Sequence, residues 1–261
     1  MYVDIGSALG YSLAHFIAAS GSTSGLSPAS LHAKLEDFGI LGRCGQCGNC
    51  NFSPRPPSST TPIEAYAIEG APQNYQTLMS MQRAFFTSAA ASKADKTQFF
   101  VLNYYVGNGS TEVVRVPSSA SGEDVRLHDM PTWETPVEIA AITLDTLAEL
   151  SGLRSIDVLN IEIGGDGPEV LEGATALLQS QRISIILLTY TKTGRWTAPH
   201  ALKAVLDTLQ GYGYYCFWAG KTGLVLITSC YVETYTQVSS GRIVCTPEKS
   251  LLFSNLTALI L

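Results

Sequence analysis

Residues Ile183 to Leu188 form the most apolar run in the chain, and the run does not alternate. A strand that is apolar on both faces has to be covered on both, which is the condition of a parallel sheet flanked by helices. The rest of the chain supplies matching parts. Tyr2 to Ile5, Ile63 to Glu69 and Asp157 to Ile163 are further short apolar runs. Tyr11 to Ala19, Asn74 to Phe86, Thr143 to Leu150, Pro168 to Leu178 and Pro199 to Leu209 carry apolar residues at helical spacing. Strands alternating with helices predict an α/β fold of three layers. Two hairpins are expected beside it. One joins Phe99 to Val106 and Glu112 to Val116 through Gly107-Asn108-Gly109, residues that tolerate positive φ. The other joins Tyr214 to Trp218 and Leu224 to Cys230 through Gly220-Lys221-Thr222-Gly223, with one more strand expected at Leu251 to Leu261.

Composition narrows the class. Of 261 residues, 46% are hydrophobic and 15% charged, below the roughly 25% charged that is usual for a globular chain. The chain therefore reads as one folded domain over 1–261. Ser20 to Pro62 departs from this pattern, being rich in Ser, Gly, Pro and Cys around one helical stretch at Leu31 to Phe38. It reads as a surface insertion, and Pro117 to Pro136 as irregular. A net charge of −6 without a Lys/Arg run argues against a nucleic-acid partner. No apolar run approaches the roughly 20 residues of a membrane-spanning helix.

The N-terminus has no basic region, and Asp4 stands where a signal peptide would be turning apolar, so no cleaved secretory signal is expected. The default location is cytoplasmic. The chain reads as starting inside a strand, as a fragment would. The triplets at Asn51, Asn108 and Asn255 are glycosylation sequons that matter only on the secretory route, and Asn255 is expected to be buried. Six cysteines are too few for a disulfide scaffold. Cys44, Cys47 and Cys50 have the spacing of metal ligands but no fourth Cys or His follows nearby, so a Gly/Cys loop without metal is expected.

In an open parallel sheet, ligands bind beyond the carboxyl ends of the strands. Asp4, Gly6, Ser7 and Gly10 lie at the end of the first strand, where glycines let the main chain approach a ligand and the next helix offers N–H groups. Glu69 ends the second strand, where an acid either accepts the hydroxyls of a ribose or caps the following helix. Glu162 nearly closes the run from Asp157, and Gly164, Gly165 and Gly167 leave room beside it. HExxH, the P-loop and GxSxG are all missing, which removes most support for hydrolases and nucleoside triphosphatases. His15, His32, His128 and His200 lie in four different segments and carry no catalytic pattern. Trp133, Trp196 and Trp218 are expected to pack in the core.

The order of these features resembles the FkbM-type family of S-adenosylmethionine-dependent methyltransferases. YVDIGSALGYSL is similar to the family's first-strand cofactor loop and AYAIEGAPQNYQTL to its second strand with the ribose-binding acid. ITLDTLAELSGLRSIDVLNIEIGGDGPEVLEGATALL resembles its most characteristic stretch, and GYGYYCFWAGKTGLVLI with FSNLTALI its final strands. The resemblance implies a class I methyltransferase (Rossmann-like) fold, a mostly parallel seven-stranded sheet with an antiparallel edge hairpin, and methyl transfer to a hydroxyl on a sugar or other small molecule. By position, Asp4, Gly6, Ser7 and Gly10 would border S-adenosylmethionine and Glu69 would hold its ribose.

Departures cluster at the expected reaction centre. Where the family has Lys-Ile-Asp-x-Glu-Gly, this chain has Asn160, Ile161, Glu162, Ile163, Gly164 and Gly165, so the lysine and the second acid are gone. Thr189 stands before Tyr190 where the family places a glutamate before an aromatic residue, and Ala8 replaces an asparagine. Two main readings follow: an O-methyltransferase with Glu162 as base, or a degenerate relative that binds cofactor or a partner without transfer. A nicotinamide-dependent oxidoreductase shares the strand, loop and acid but lacks the glycine fingerprint.

Overall fold

Apolar runs too short to cover themselves become strands of a shared sheet, and the first of them is buried at every residue. This is β1 (Tyr2–Ile5) in the computed structural model, which describes residues 1–20, 22, 24–37, 62–86, 96–121, 135–220 and 223–257. The Cys44, Cys47 and Cys50 loop, Trp133, His128 and Asn51 lie outside the described residues. The chain divides into two compact units, one of Met1–Tyr105 with Val113–Ala140 and one of Val106–Glu112 with Ala141–Leu261.

In the first unit β1 pairs in parallel with β2 (Glu64–Ile68), which pairs in parallel with β3 (Gln98–Leu102). The helix α1 (Tyr11–Ala19) follows β1 and buries Leu13, Ala14 and Ile17. Against α1 lies α2 (Pro28–Asp37), with Leu31 and Leu35 buried and His32 Nδ1 2.8 Å from the Tyr11 hydroxyl. After β2 comes α3 (Pro72–Phe86), burying Leu78 and Met81. Two-residue β4 (Tyr105–Val106) precedes β5 (Val113–Pro117).

The expected hairpin at Gly107-Asn108-Gly109 is corrected. A turn exists there, with Gly109 at φ 83° and the Ser110 N–H donating to Asn108 Oδ1 at 3.0 Å. The strands around it pair elsewhere: β3 belongs to the parallel sheet, and β5 pairs antiparallel with β6 (Pro136–Ile142). Parallel pairing with β2 along its whole length, with Phe99 buried, holds this run in the parallel sheet, and local turn chemistry does not override it.

The second unit holds β7 (Ile156–Ile161) and β8 (Ile183–Thr191) in parallel, so the most apolar run is the two-faced strand expected of it. Helix α4 (Leu144–Leu150) precedes β7 and is capped by the Thr143 side chain. The expected helix over Pro168 to Leu178 is two short ones, α5 (Gly167–Glu172) and α6 (Thr175–Gln179). They break at Gly173, where a Cβ would stand 2.1 Å from the Gly107 carbonyl oxygen. The Asp145 carboxylate accepts from the Ala176 and Leu177 N–H groups at the start of α6, at 2.7 and 3.0 Å. Helix α7 (Ala201–Gly211) follows β8 and buries Leu202, Leu206 and Leu209.

The sheet's far side departs from the sequence reading. β9 (Tyr214–Ala219) and β10 (Leu224–Leu226) do form the antiparallel hairpin. However, β11 (Ser240–Pro247), a strand with no clear signal in sequence, lies between β8 and β9 and is antiparallel to both. Among the described residues the first unit's parallel sheet holds three strands and this one five, which makes eight where seven were expected. Gly241 masks β11 in sequence and is required in structure, because its Cβ would lie 2.1 Å from Trp218 Cζ2. The final strand is corrected too. Leu251–Thr257 is α8, started by Ser250, whose hydroxyl accepts from the Phe253 N–H at 3.1 Å as an N-cap does. Asn255 is exposed on it.

Cys216 and Cys245 face each other across β9 and β11 and form a disulfide, with Cα atoms 4.0 Å apart. Cys216 uses both its main-chain groups away from β11: its N–H donates to Thr228 Oγ1 at 2.8 Å and its carbonyl accepts from the Ile227 N–H at 3.0 Å. The pair is thus a non-hydrogen-bonded one, where side chains of facing strands come closest. Cys230 is exposed and unbridged.

The bridge spans 29 residues of chain, and a closed loop of that size contributes roughly 3–4 kcal/mol by unfolded-state entropy. Urea unfolding of the Cys216→Ala, Cys245→Ala double variant should show a loss of that order. An unchanged midpoint would mean the bridge is not formed in solution.

Candidate functional site

The first unit brings together the end of β1, the loop Gly6 to Gly10 and Glu69. Left-handed backbone recurs at alternate residues of the loop: φ is 79° at Gly6, 45° at Ala8 and 86° at Gly10. The Gly6 and Ser7 N–H groups donate to the Ile68 carbonyl at 2.9 and 3.3 Å, tying the loop to β2. The Ser7 hydroxyl turns inward and donates to the Asp4 carbonyl at 2.9 Å. Asp4 is completely buried in β1. Gly10 begins α1, and a Cβ there would meet Leu78 Cδ2 at 3.0 Å, so glycine lets α1 and α3 close on one another.

Glu69 is the group around which these parts are arranged. Its carboxylate accepts from the Ala8 N–H at 2.7 Å through Oε2 and from the Ala71 N–H at 2.7 Å through Oε1. It therefore bonds both the first-strand loop and the start of α3. Its main chain is fixed as well, the N–H donating to the Leu102 carbonyl at 3.0 Å and the carbonyl accepting from Asn103 Nδ2 at 2.7 Å. Burial pushes the Glu69 carboxyl above its ordinary range, while the Ala71, Ala8 and Gly70 N–H groups and the Asn74 side chain pull it back. The helix-capping alternative is thus realised, and the same carboxylate also holds the loop after β1.

The second unit gathers a separate polar cluster on β7, β8 and β11. Arg242 Nη2 lies 3.0 Å from Glu162 Oε1, and Arg242 Nη1 donates to Asn160 Oδ1 at 3.3 Å. The Asn160 amide also faces Glu162 Oε2 at 3.5 Å. Glu162, the sequence candidate for a base, is therefore one corner of an ion pair. Gly164 has φ 59°, Trp196 Nε1 donates to its carbonyl at 3.2 Å, and a Cβ on Gly165 would lie 2.5 Å from the Gly194 Cα. These glycines accommodate the close approach of two turns, which accounts for them without a ligand. Trp196 is buried against Tyr190, and Trp218 is half-buried beside the same ring.

Arg242 and Asn103 escaped the sequence reading. Arg242 sits on the unforeseen β11, and Asn103 follows a strand assigned to the wrong partner. Thr189 did carry a signal, as a departure from the family pattern. Among the described residues no group of three or more His, Cys, Asp or Glu is placed to hold a metal ion, and no helix is long and apolar enough to cross a membrane.

The methyltransferase FkbM domain pattern matches residues 58–216, more than half of the chain. No curated protein matches the sequence. A crystal structure of methyltransferase FkbM from Methylobacillus flagellatus KT is similar at 13% identity and a TM-score of 0.47, over 94% of this chain and 42% of that one. This chain thus spans less than half the length of that relative.

Two outcomes follow for the loop. Gly10→Ala should destabilise by about 1–2 kcal/mol, the cost of left-handed backbone for an L-residue, measured by urea unfolding. Because native Glu69 holds its proton more tightly than the unfolded chain does, stability should fall as pH rises from the ordinary carboxylate range through the raised value. Glu69→Gln should remove that part of the pH–stability profile, and an unaltered slope would assign it to another group.

Proposed function

Because this chain belongs to the FkbM methyltransferase family, we propose that it is an S-adenosylmethionine-dependent methyltransferase acting on a hydroxyl oxygen of a sugar or other small molecule. The observation that carries the reading is the bond from the Ala8 N–H to Glu69, which couples a main-chain loop with left-handed turns to a buried acid at the end of the neighbouring strand. These residues suit the cofactor. Gly6 and Gly10 present main chain without side chains, and Glu69 offers a carboxylate held in one orientation by fixed donors. Asp4 and Ser7 act from beneath, Ser7 bracing the strand end through the Asp4 carbonyl. A carboxylate has about four acceptor positions, so ribose hydroxyls would compete for Glu69 with Asn74, the one donor of its set on a rotatable side chain.

When bound, S-adenosylmethionine supplies a methyl group on a sulfonium, an electrophile that needs no activation by the protein. What remains for the chain is to hold the acceptor oxygen and receive its proton. We assign the proton to the Glu162 carboxylate, whose Oε1 is oriented by Arg242.

One observation favours a second reading. Glu162 is engaged by Arg242 and Asn160, and no second acid follows it at Gly164, which suits a chain that binds the cofactor without transfer.

Calorimetric titration with S-adenosylmethionine and S-adenosylhomocysteine tests the first step. Micromolar, saturable binding weakened at least tenfold in Glu69→Ala is expected; no binding by the folded chain would overturn the methyltransferase reading. Glu162→Gln separates the two readings. It should cut methyl transfer at least a hundredfold with cofactor affinity kept, whereas cofactor binding with no transfer to any hydroxyl compound by the wild type would favour the second.

A further inference from the structure

We propose that Arg242, Glu162 and Thr189 form a subsite for a neutral vicinal diol, such as adjacent ring hydroxyls of a sugar. This rests on the reading of the acceptor as a hydroxyl compound and assigns its chemical class.

The register of the second unit's sheet sets the arrangement. Arg242 on β11 stands directly opposite Thr189 on β8, and directly opposed residues share a face of the sheet. On β7, Asn160 pairs with Leu187, two residues before Thr189, so Asn160 and Glu162 face the same way. The Arg242 guanidinium therefore crosses β8 on the Thr189 side to reach Asn160 and Glu162. Its two bonds there use two of five N–H groups. The Arg242 side chain remains 34% exposed and that of Glu162 20%.

The surface so formed has a donor edge and an acceptor edge one ion-pair length apart, 3.0 Å. That separation selects a ligand. The two oxygens of a gauche diol are about a hydrogen-bond length from each other, and each can donate or accept. One hydroxyl donates to Glu162 while its neighbour accepts from Arg242. The charges of Arg242 and Glu162 cancel at this separation, so neither an anion nor a cation gains net attraction, and a neutral ligand with a donor and an acceptor side by side, such as the diol, matches both edges.

Thr189 supplies an independent observation. It is only 7% exposed, and its hydroxyl oxygen is buried without a hydrogen-bond partner among the described residues. A hydroxyl in that state is a cost that valine, of the same shape, would not carry. Its place on the face that Arg242 crosses gives it a use: the ligand-bound arrangement of the diol and Arg242 supplies the partner that the ligand-free chain lacks.

Saturation-transfer NMR with the methyl glycosides of glucose, galactose, mannose and xylose, with and without S-adenosylhomocysteine, tests this. At least one glycoside should bind, and Arg242→Lys, which lacks the planar fork, should weaken it tenfold or more. Thr189→Val should raise the ligand-free Tm by a few degrees yet weaken the same glycoside at least threefold. Opposite signs are the signature, since a purely structural threonine would move only Tm. Failure of all four glycosides in both conditions overturns the proposal, as does a glycoside affinity unchanged in Thr189→Val. Calorimetry with S-adenosylhomocysteine on the wild type keeps the two readings apart. Glycoside binding without cofactor binding would sink the methyltransferase reading and leave the diol subsite, and the reverse result would do the opposite.

Discussion

The Glu69 carboxylate accepts hydrogen bonds from Ala8 and Ala71, and the first unit's candidate site depends on that contact. A carboxylate taken almost wholly out of water is costly unless its acceptor positions are filled. Here the donors come from the loop after β1, from the segment before α3 and from Asn74. Filling the acid therefore fixes the loop, and the fixed loop explains the left-handed Ala8, which carries a strain glycine would not. Gly10 then has to be glycine for two reasons at once, its own backbone and the nearness of Leu78.

In the second unit the governing constraint is β11. Its position between β8 and β9 brings Arg242 opposite Thr189 and within reach of Asn160 and Glu162. The same strand carries Cys245 to Cys216 and leaves space over Gly241 for Trp218. Asn160 carries no charge, and the cation beside Glu162 arrives from a different strand. The carboxylate of Glu162 is thereby paired in a different way from what the local motif suggests.

Two-sided burial was the most legible property. Ile183 to Leu188, Tyr2 to Ile5 and the Ala65 to Ile68 run are where an unbroken apolar pattern places them. The helix-capping role of Glu69 was legible because an acid just ahead of a helix can accept from its free N–H groups. What failed depended on partners distant in sequence. Phe99 to Val106 beside an Asn-Gly turn reads as half a hairpin, but β3 pairs in parallel with β2 instead. The Leu251 run reads as a strand until Ser250 is seen to cap a helix. β11 was illegible because Ser240, Gly241 and Arg242 each look like loop residues and are explained only by Trp218, Thr189 and Glu162. For the same reason the Glu162 and Arg242 pair, joined across 80 residues, could not be read from either end.

Under the proposed function, the loop held by Glu69 is the part of the first unit that grips an adenosyl cofactor. Amide NMR of the isotopically labelled chain during titration with S-adenosylhomocysteine tests it most directly. Saturable shifts are expected, centred on the amides of Gly6, Ala8, Gly10, Gly70 and Ala71, with the Asn74 side-chain amide moving in step. Saturable binding that leaves those amides unmoved and shifts others would contradict it.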